Sequence, residues 1–295
     1  MNVINTPGAA PTDWADRVRS QKTVWAAGAY DAMSARLIEE AGFDAVMTSG
    51  FGISASFLGE PDAELYTMTE NLTVVRNVAG AIDVPLVADI DTGYGNAINV
   101  MRTVREFEAA GASAVILEDQ LAPKRCPICV GGVEVISSEE AEAKIAAAAA
   151  ARRNPDTLIV ARTDVVDPAE AIARGKAYVA AGADIIQPIS KCFSSIDGLR
   201  AMREGCGVPL SLQLLGWLEK DLSPDEVAEV AGLATFPLVP LMTAAKALRE
   251  NLEVLARDRS AAALPRPVVA HNDFIDFIGF PQIEELQMKY LKDRP

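Results

Sequence analysis

The sequence predicts an α/β protein built as a (β/α)8 barrel of the TIM type. Two observations carry that expectation: a repeated helix that ends in Ala-Gly before a short strand, and strands that end abruptly in carboxylates. The repeat occurs four times. Its copies are Leu37 to Gly42 before Ala45-Val46-Met47, Glu106 to Gly111 before Ala114 to Leu117, Tyr178 to Gly182 before Asp184-Ile185-Ile186, and Val227 to Gly232 before Leu233 to Val239. Glycine just past a helix end supplies a left-handed cap, after which the chain can enter a strand. The first three glycines recur about every 70 residues, the length of two βα units. Thr23 to Ala27, Pro85 to Asp89, Leu158 to Ala161 and Pro209 to Leu212 supply the strands between. Eight strand candidates alternating with helices fit a closed barrel. An open doubly wound sheet is the alternative. The strand count and the lack of a Gly-rich fingerprint after the first strand favour the barrel.

One barrel domain is therefore expected over 1–295, with a helical extension over 265–295. Leu264-Pro265-Arg266-Pro267 breaks the βα pattern, and Asn272 to Phe280 and a terminal helix from Pro281 to Leu291 follow. Ile283, Leu286, Met288, Tyr290 and Leu291 leave that helix a partly apolar face, which must pack on the barrel or on another subunit.

Half of the chain is hydrophobic and 6% is aromatic, so the core is aliphatic. The net charge of −14 argues against nucleic-acid or anionic-membrane partners. It does not argue against a small anionic substrate, because a metal and a few cations can reverse the field inside a pocket. No run approaches the length of a membrane span, and Met1 to Asp16 shows no signal peptide, so a cytoplasmic location is expected.

The chemistry sits at two strand ends. Val87-Ala88-Asp89-Ile90-Asp91 leads into Thr92-Gly93-Tyr94-Gly95, and Val115-Ile116-Leu117 ends in Glu118-Asp119-Gln120. Carboxylates at the C-terminal ends of parallel strands lie at the mouth of a barrel, where ligands bind. Acids that converge there repel one another, and a hard cation makes the cluster tolerable. Asp89 and Asp91 are two apart and point the same way on a regular strand. Glu118 and Asp119 point oppositely, and Glu118 is the one assigned to the metal. Helix capping by Asp91 is the bland alternative. Arg162 ends the fifth strand; beside a metal it suits bidentate recognition of a substrate carboxylate, and otherwise it is salt-bridged scaffold.

Four cysteines are present. Cys126 and Cys129 form a C-x-x-C pair, which reads as a redox dithiol or half of a zinc site. The chain has one histidine, His271, and no second C-x-x-C, so zinc lacks ligands. Cys126 follows Lys124 and Arg125, which favour its thiolate. A general acid there needs a closed, less cationic environment or a proton from Lys124. Cys192 and Cys206 read as packing residues.

These residues resemble the isocitrate lyase and phosphoenolpyruvate mutase superfamily. The likeness runs from about Trp25 to Leu291. It is carried by Gly28-Ala29-Tyr30-Asp31-Ala32-Met33-Ser34-Ala35, Thr48-Ser49-Gly50 and Leu58-Gly59-Glu60-Pro61-Asp62. Asp89-x-Asp91-Thr92-Gly93-Tyr94-Gly95-Asn96, Glu118-Asp119-Gln120 with Pro123-Lys124-Arg125-Cys126, Ala161-Arg162-Thr163-Asp164 and Gly279-Phe280-Pro281 continue it. Within the superfamily the chain most resembles the small lyases acting on methylisocitrate or dimethylmalate. The resemblance implies a homotetramer, a dimer of dimers whose last helices are exchanged. It implies Mg2+, with Mn2+ as a substitute, near Asp89 and Asp91, with Glu118 and Asp62 in or near its water shell. It implies substrate carboxylates held by Ser49, Gly50 and Phe51 on one side and Arg162 on the other, and a gating loop carrying Lys124 and Cys126. In the lyases that cysteine protonates the leaving enolate.

The implied activity is Mg-dependent cleavage of a carbon–carbon bond in a branched 2-hydroxy dicarboxylate, giving a 2-oxo acid and a second carboxylate. Alternatives are a phosphonopyruvate mutase or hydrolase, an oxaloacetate decarboxylase, and a metabolite-binding barrel without catalysis. The chain departs from the lyases at several points. Cys126 is followed by Pro127-Ile128-Cys129 instead of a Gly-His pair, Pro188-Ile189-Ser190 replaces Pro-Glu-Ala, Gln213 stands where many have Asn, and Met47 replaces a tyrosine of some members. Ile189 and Ile128 make the far end of the pocket more apolar, which predicts an alkyl group on the substrate there.

Overall fold

The computed structural model describes residues 13–20, 22–125 and 133–291. Eight parallel strands close into a barrel in the order β1 to β8, with β8 paired to β1. The strands are β1 (Val24–Ala29), β2 (Ala45–Thr48), β3 (Leu86–Asp89), β4 (Ala114–Glu118), β5 (Leu158–Thr163), β6 (Ile185–Pro188), β7 (Leu210–Gln213) and β8 (Ala231–Phe236). The helices of the barrel unit are α1 (Trp14–Arg19), α2 (Ala32–Glu40), α3 (Gly50–Ile53), α4 (Met68–Ala79), α5 (Ala97–Ala109), α6 (Ser138–Ala151), α7 (Pro168–Ala180), α8 (Ile196–Cys206), α9 (Trp217–Lys220) and α10 (Pro224–Val230). The expected barrel is thus the observed fold.

Local chemistry starts the helices where they start. Asp31, Thr67, Asn96, Ser137, Asp167, Ser195 and Ser223 each cap a helix by accepting a backbone N–H from its first turn. Gly42, Gly111 and Gly182 follow helix ends with φ of +88°, +104° and +110°. The fourth copy of the repeat differs. Ala231 and Gly232 already belong to β8, which ends at Phe236 and not at Val239. A Cβ on Gly232 would lie 2.6 Å from the Val18 carbonyl oxygen and 2.8 Å from the Pro209 Cβ. That glycine therefore admits α1 to the barrel and does not cap α10.

Strand alternation divides the core. Val24, Ala26, Ala45, Met47, Val87, Ala114, Ile116, Leu158, Val160, Ile185 and Leu233 fill the barrel interior, together with Trp14, Ala15 and Val18 of α1. The intervening residues, such as Val46, Ala88, Val115, Leu117, Ile159 and Ala161, pack against the helices. The interior strand positions thus run in aliphatic layers up to the C-terminal mouth.

The barrel unit runs through Leu241, and the chain from Met242 forms a second compact unit. Helix α11 (Val239–Asp258) crosses that boundary, and α12 (His271–Ile278) and α13 (Phe280–Tyr290) follow. The expected extension at 265–295 falls within the second unit. No residue of α11, α12 or α13 is buried, and Leu248, Leu252, Phe280, Met288 and Tyr290 are exposed. Among the described residues no helix is long and apolar enough to cross a membrane.

Candidate active site

The interior layers end in polar groups. Val87, Ile116, Val160 and Ile185 point into the barrel. Two residues further along each strand, at the period of two that a strand imposes, stand Asp89, Glu118, Arg162 and Gln187. Asp119, one residue beyond Glu118, turns to the helix layer. It accepts the Asp164 N–H at 2.9 Å, the Tyr178 hydroxyl at 2.7 Å and Arg174 Nη1 at 3.2 Å. The expected division between Glu118 and Asp119 is the one observed.

The β3 acids are set by a tight turn. Asp89 Oδ1 accepts the Asp91 N–H at 3.0 Å, and Oδ2 accepts the Gly50 N–H at 3.3 Å. Asp91, Gly93, Tyr94 and Gly95 all have positive φ, between 49° and 142°. For Asp91 and Tyr94 that is a strained conformation, which surrounding contacts must hold. The Tyr94 hydroxyl donates to Asp91 Oδ2 at 2.9 Å and accepts from Asn71 Nδ2 at 2.7 Å. Asn71 Nδ2 also donates to the Asp89 carbonyl at 2.8 Å. Lys144 Nζ donates to the Thr92 carbonyl at 3.2 Å.

Lys124 stands among the acids. Its Nζ lies 2.5 Å from Asp91 Oδ1, 3.1 Å from Asp62 Oδ1 and 3.9 Å from Glu118 Oε1. Arg162 Nη1 lies 2.8 Å from Glu118 Oε2, and its Nη2 donates to Asp164 Oδ1 at 2.9 Å. Burial pushes the Asp89 carboxyl up to about 6, with Asp91 and Asp62 adding to the rise and Lys124 and Arg162 opposing it. Burial likewise raises Glu118 against the pull of Arg162 and Lys124. For Lys124, burial favours the neutral amine, but Asp91, Glu118, Asp89 and Asp62 outweigh it and keep the ammonium. The Tyr66 hydroxyl is held protonated by burial and then by Asp91, Asp89 and Asp62.

A cleft with a cavity volume of about 80 Å³ opens beside this cluster. Asp62, Asp89, Arg162, Ser49, Gln187 and Ser190 line it together with the apolar Met47, Ile116, Ile189, Leu215, Pro237 and Leu238. Gln213 also lines it. Its Nε2 reaches Gln187 Oε1 at 3.3 Å, while its own Oε1 is buried without a hydrogen-bond partner.

The structure brings together most residues read from the sequence. Ser49 caps α3, with its Oγ accepting the Gly52 N–H at 3.3 Å. A Cβ at Gly50 would crowd the acids, meeting Tyr66 Oη at 2.9 Å, Asp91 Oδ1 at 3.1 Å and Asp89 Oδ2 at 3.2 Å. Phe51 lines the cleft. Cys126, Ile128 and Cys129 lie outside the described residues. His271 is exposed at the start of α12 in the second unit. Sequence reading missed Tyr66, Asn71, Lys144, Gln187 and Glu64. Asn71 left a signal, because it falls on the buried stripe of α4 with Val75 and Val78. Lys144 left the same signal on α6, beside Ala141, Ile145 and Ala148.

The donor set fits a hard divalent cation bound largely through water. Among the described residues no three His, Cys, Asp or Glu side chains are placed to hold one ion directly. Yet Asp62 Oδ1, Asp91 Oδ1 and both Glu118 oxygens are buried without a hydrogen bond of acceptable angle. Lys124 and Arg162 reach them as charges only. Hard oxygen donors left in that state suit a hydrated Mg2+.

This barrel, with acids and an arginine at its C-terminal mouth, defines an enzyme site. The family model of phosphoenolpyruvate phosphomutase matches residues 16–255. The chain belongs to that family and is an enzyme of the isocitrate lyase and phosphoenolpyruvate mutase superfamily. It is 40% identical to 2,3-dimethylmalate lyase of Eubacterium barkeri, over 93% of this chain and 96% of the relative. It is 34% identical to 2-methylisocitrate lyase of Aeropyrum pernix, over 91% of this chain and 87% of the relative. A crystal structure of phosphonopyruvate hydrolase in complex with oxalate and Mg2+ superposes with a TM-score of 0.84 at 32% identity, covering 95% of this chain and 99% of that one.

Proposed function

We propose that the chain is a magnesium-dependent carbon–carbon lyase. It would cleave a branched 2-hydroxy dicarboxylate, of the dimethylmalate or methylisocitrate kind, to a 2-oxo acid and a second carboxylate. One observation carries the reading: the cleft that Asp89, Asp62 and Arg162 line is also lined by the apolar Ile189, Leu215, Pro237 and Leu238. A carboxylate set against these aliphatic side chains would be left unpaired, which is unfavourable, whereas an alkyl branch would gain contact. The lyase relatives and the Mg2+ and oxalate of the hydrolase structure support the same chemistry.

Asp89 and Asp91, with Glu118 and Asp62 through water, would hold Mg2+ or Mn2+. When bound, the ion supplies a Lewis acid for an oxygen that gains charge. Arg162 and the Ser49-Gly50-Phe51 segment would hold substrate carboxylates, and Gln213 would offer its unpartnered amide oxygen to a substrate donor. In the cleavage the substrate hydroxyl would give its proton to water held at the acid cluster and become the carbonyl of the 2-oxo acid. The electron pair of the broken C–C bond stays on the departing carboxylate fragment. The Cys126 thiol would give that carbon its proton, and Lys124 would resupply the thiol. The uncovered apolar faces of α11 to α13 support a helix-exchanged dimer within a homotetramer. A cytoplasmic location completes the proposal.

The test is a panel of alkyl-substituted malates, methylisocitrate, isocitrate, oxaloacetate and phosphonopyruvate, with Mg2+ or EDTA, read by release of 2-oxo acid. The alkyl malate should be the best substrate, with turnover lost in EDTA and in Asp89→Ala. Isocitrate as the best substrate would overturn the reading of Ile189, and full activity in EDTA would overturn the metal. Phosphonopyruvate hydrolysis is the second reading, favoured by the overlap with that hydrolase, and release of phosphate would establish it.

A further inference from the structure

We infer that Glu64 is a positioning residue, a clasp that holds Lys124 in place against the turn bearing Asp91. Its consequence for turnover rests on the proposed lyase reading. Glu64 lies between β2 and α4 and has a φ of +56°, in the left-handed region that a residue with a side chain rarely adopts. Such a conformation persists only where contacts over-determine it. Here the carboxylate supplies them. Oε1 accepts the Thr92 hydroxyl at 2.6 Å, and Oε2 accepts the Lys124 backbone N–H at 2.9 Å. One side chain thus ties together the segments that follow β2, β3 and β4.

The arrangement is paired. Glu64 and Thr92 hold the backbone of Lys124, while Asp62 and Asp91, two residues and one residue earlier, face its ammonium. Thr92 is fully buried, and its carbonyl is held by Lys144, so the clasp pulls on a fixed point. The next N–H, of Arg125, donates to Gln120 Oε1 at 3.0 Å. Each Glu64 oxygen accepts one hydrogen bond from the protein, and Glu64 does not line the cleft. It therefore acts through Lys124 and not on the substrate. Both its partners donate, which requires two acceptors. Glutamine can keep both arms, because the Thr92 hydroxyl can turn and accept from its amide, whereas methionine fills the space and leaves both donors without an acceptor.

The experiment compares the full-length wild type, Glu64→Met and Thr92→Val, each first shown to fold by circular dichroism. Hydrogen exchange of the Lys124 amide is read together with kcat and KM on the best substrate of the panel. Glu64→Met should speed that exchange at least tenfold. It should lower kcat by up to about 100-fold, the scale of a 1 Å misplacement, and leave KM within about threefold. Thr92→Val, which cuts one arm, should move both in the same direction by less. Unchanged exchange in Glu64→Met overturns the clasp. Faster exchange with unchanged kcat overturns the positioning role. If the wild type turns over nothing in the panel, the lyase reading fails, and the clasp is decided by the exchange alone.

Discussion

Replacing Lys124 with methionine tests the electrostatics of the site directly. Methionine keeps the length and apolar stem of lysine and removes the ammonium. That ammonium is 3% exposed and lies within 4 Å of Asp91, Asp62 and Glu118, of which Asp91 and Glu118 are almost fully buried. Breaking a buried pair by removing one partner destabilises by about 3–5 kcal/mol, because the other charge stays behind. A chain of 295 residues unfolds with an entropy of about 0.6 kcal/mol/K, so the melting temperature should fall by roughly 5–8 °C in EDTA at pH 8. The deficit should shrink toward acid. Lys124 opposes the rise of the Asp89 carboxyl, which burial already pushes up to about 6, so its loss raises that carboxyl further. A carboxyl raised in the folded state stabilises the fold below its unfolded value and loses that effect as pH rises through the folded value. The variant should therefore lose most stability above pH 6 and least near pH 4. Mg2+ should restore about 2.7 kcal/mol at a hundredfold excess over Kd, and more than it adds to the wild type, where Lys124 competes for the same oxygens. Scanning calorimetry at several pH values, with EDTA or Mg2+, reads all three. A variant as stable as the wild type in EDTA at pH 8 would refute the account.

Other outcomes are checked in the same way. Asp119→Ala should lower stability by about 1–3 kcal/mol in denaturant melts, because the Tyr178 hydroxyl and the Asp164 N–H lose their acceptor while Arg174 keeps Glu170, and the folded fraction should keep its substrate preference. Gly50→Ala should cut turnover severely with little change in far-UV circular dichroism, because the added methyl meets Asp89, Asp91 and Tyr66 oxygens; wild-type kinetics would contradict that geometry. Burial pushes the Cys192 and Cys206 thiols up to about 12 and about 11, so iodoacetamide at pH 8 should leave both unmodified until the protein unfolds, as mass spectrometry would show. Cys126→Ser should cut the rate by roughly 100-fold or more with substrate binding kept, and Cys129→Ser should matter much less; equal losses point to a dithiol or metal pair.

The barrel was legible in the sequence because its signals are local. Ala-Gly helix ends, apolar strands and capping residues act within a few positions, and the period of two along each strand sets which side chains face inward. For that reason Asp89, Glu118 and Arg162 could be placed at one mouth, and Asp119 assigned to the opposite side of its strand, without coordinates. The fourth repeat shows where local pattern stops: Ala-Gly at 231–232 reads as a helix end, but both residues belong to β8, where Ala231 pairs with Leu210 of β7 and a side chain at Gly232 would meet Val18 and Pro209. The tertiary structure alone decided what lies between the acids. Glu64 and Lys124 are 60 positions apart, and Gln120 and Asp164 are 44 apart. No periodicity relates such residues, because closure of the barrel and the course of its loops bring them together. Composition and pattern determine which residues reach the mouth; only packing of separate crossover segments determines that a lysine ammonium stands among four carboxylates, and that apolar residues of β2, β4 and the segments after β6, β7 and β8 line one cleft with Asp62, Asp89 and Arg162.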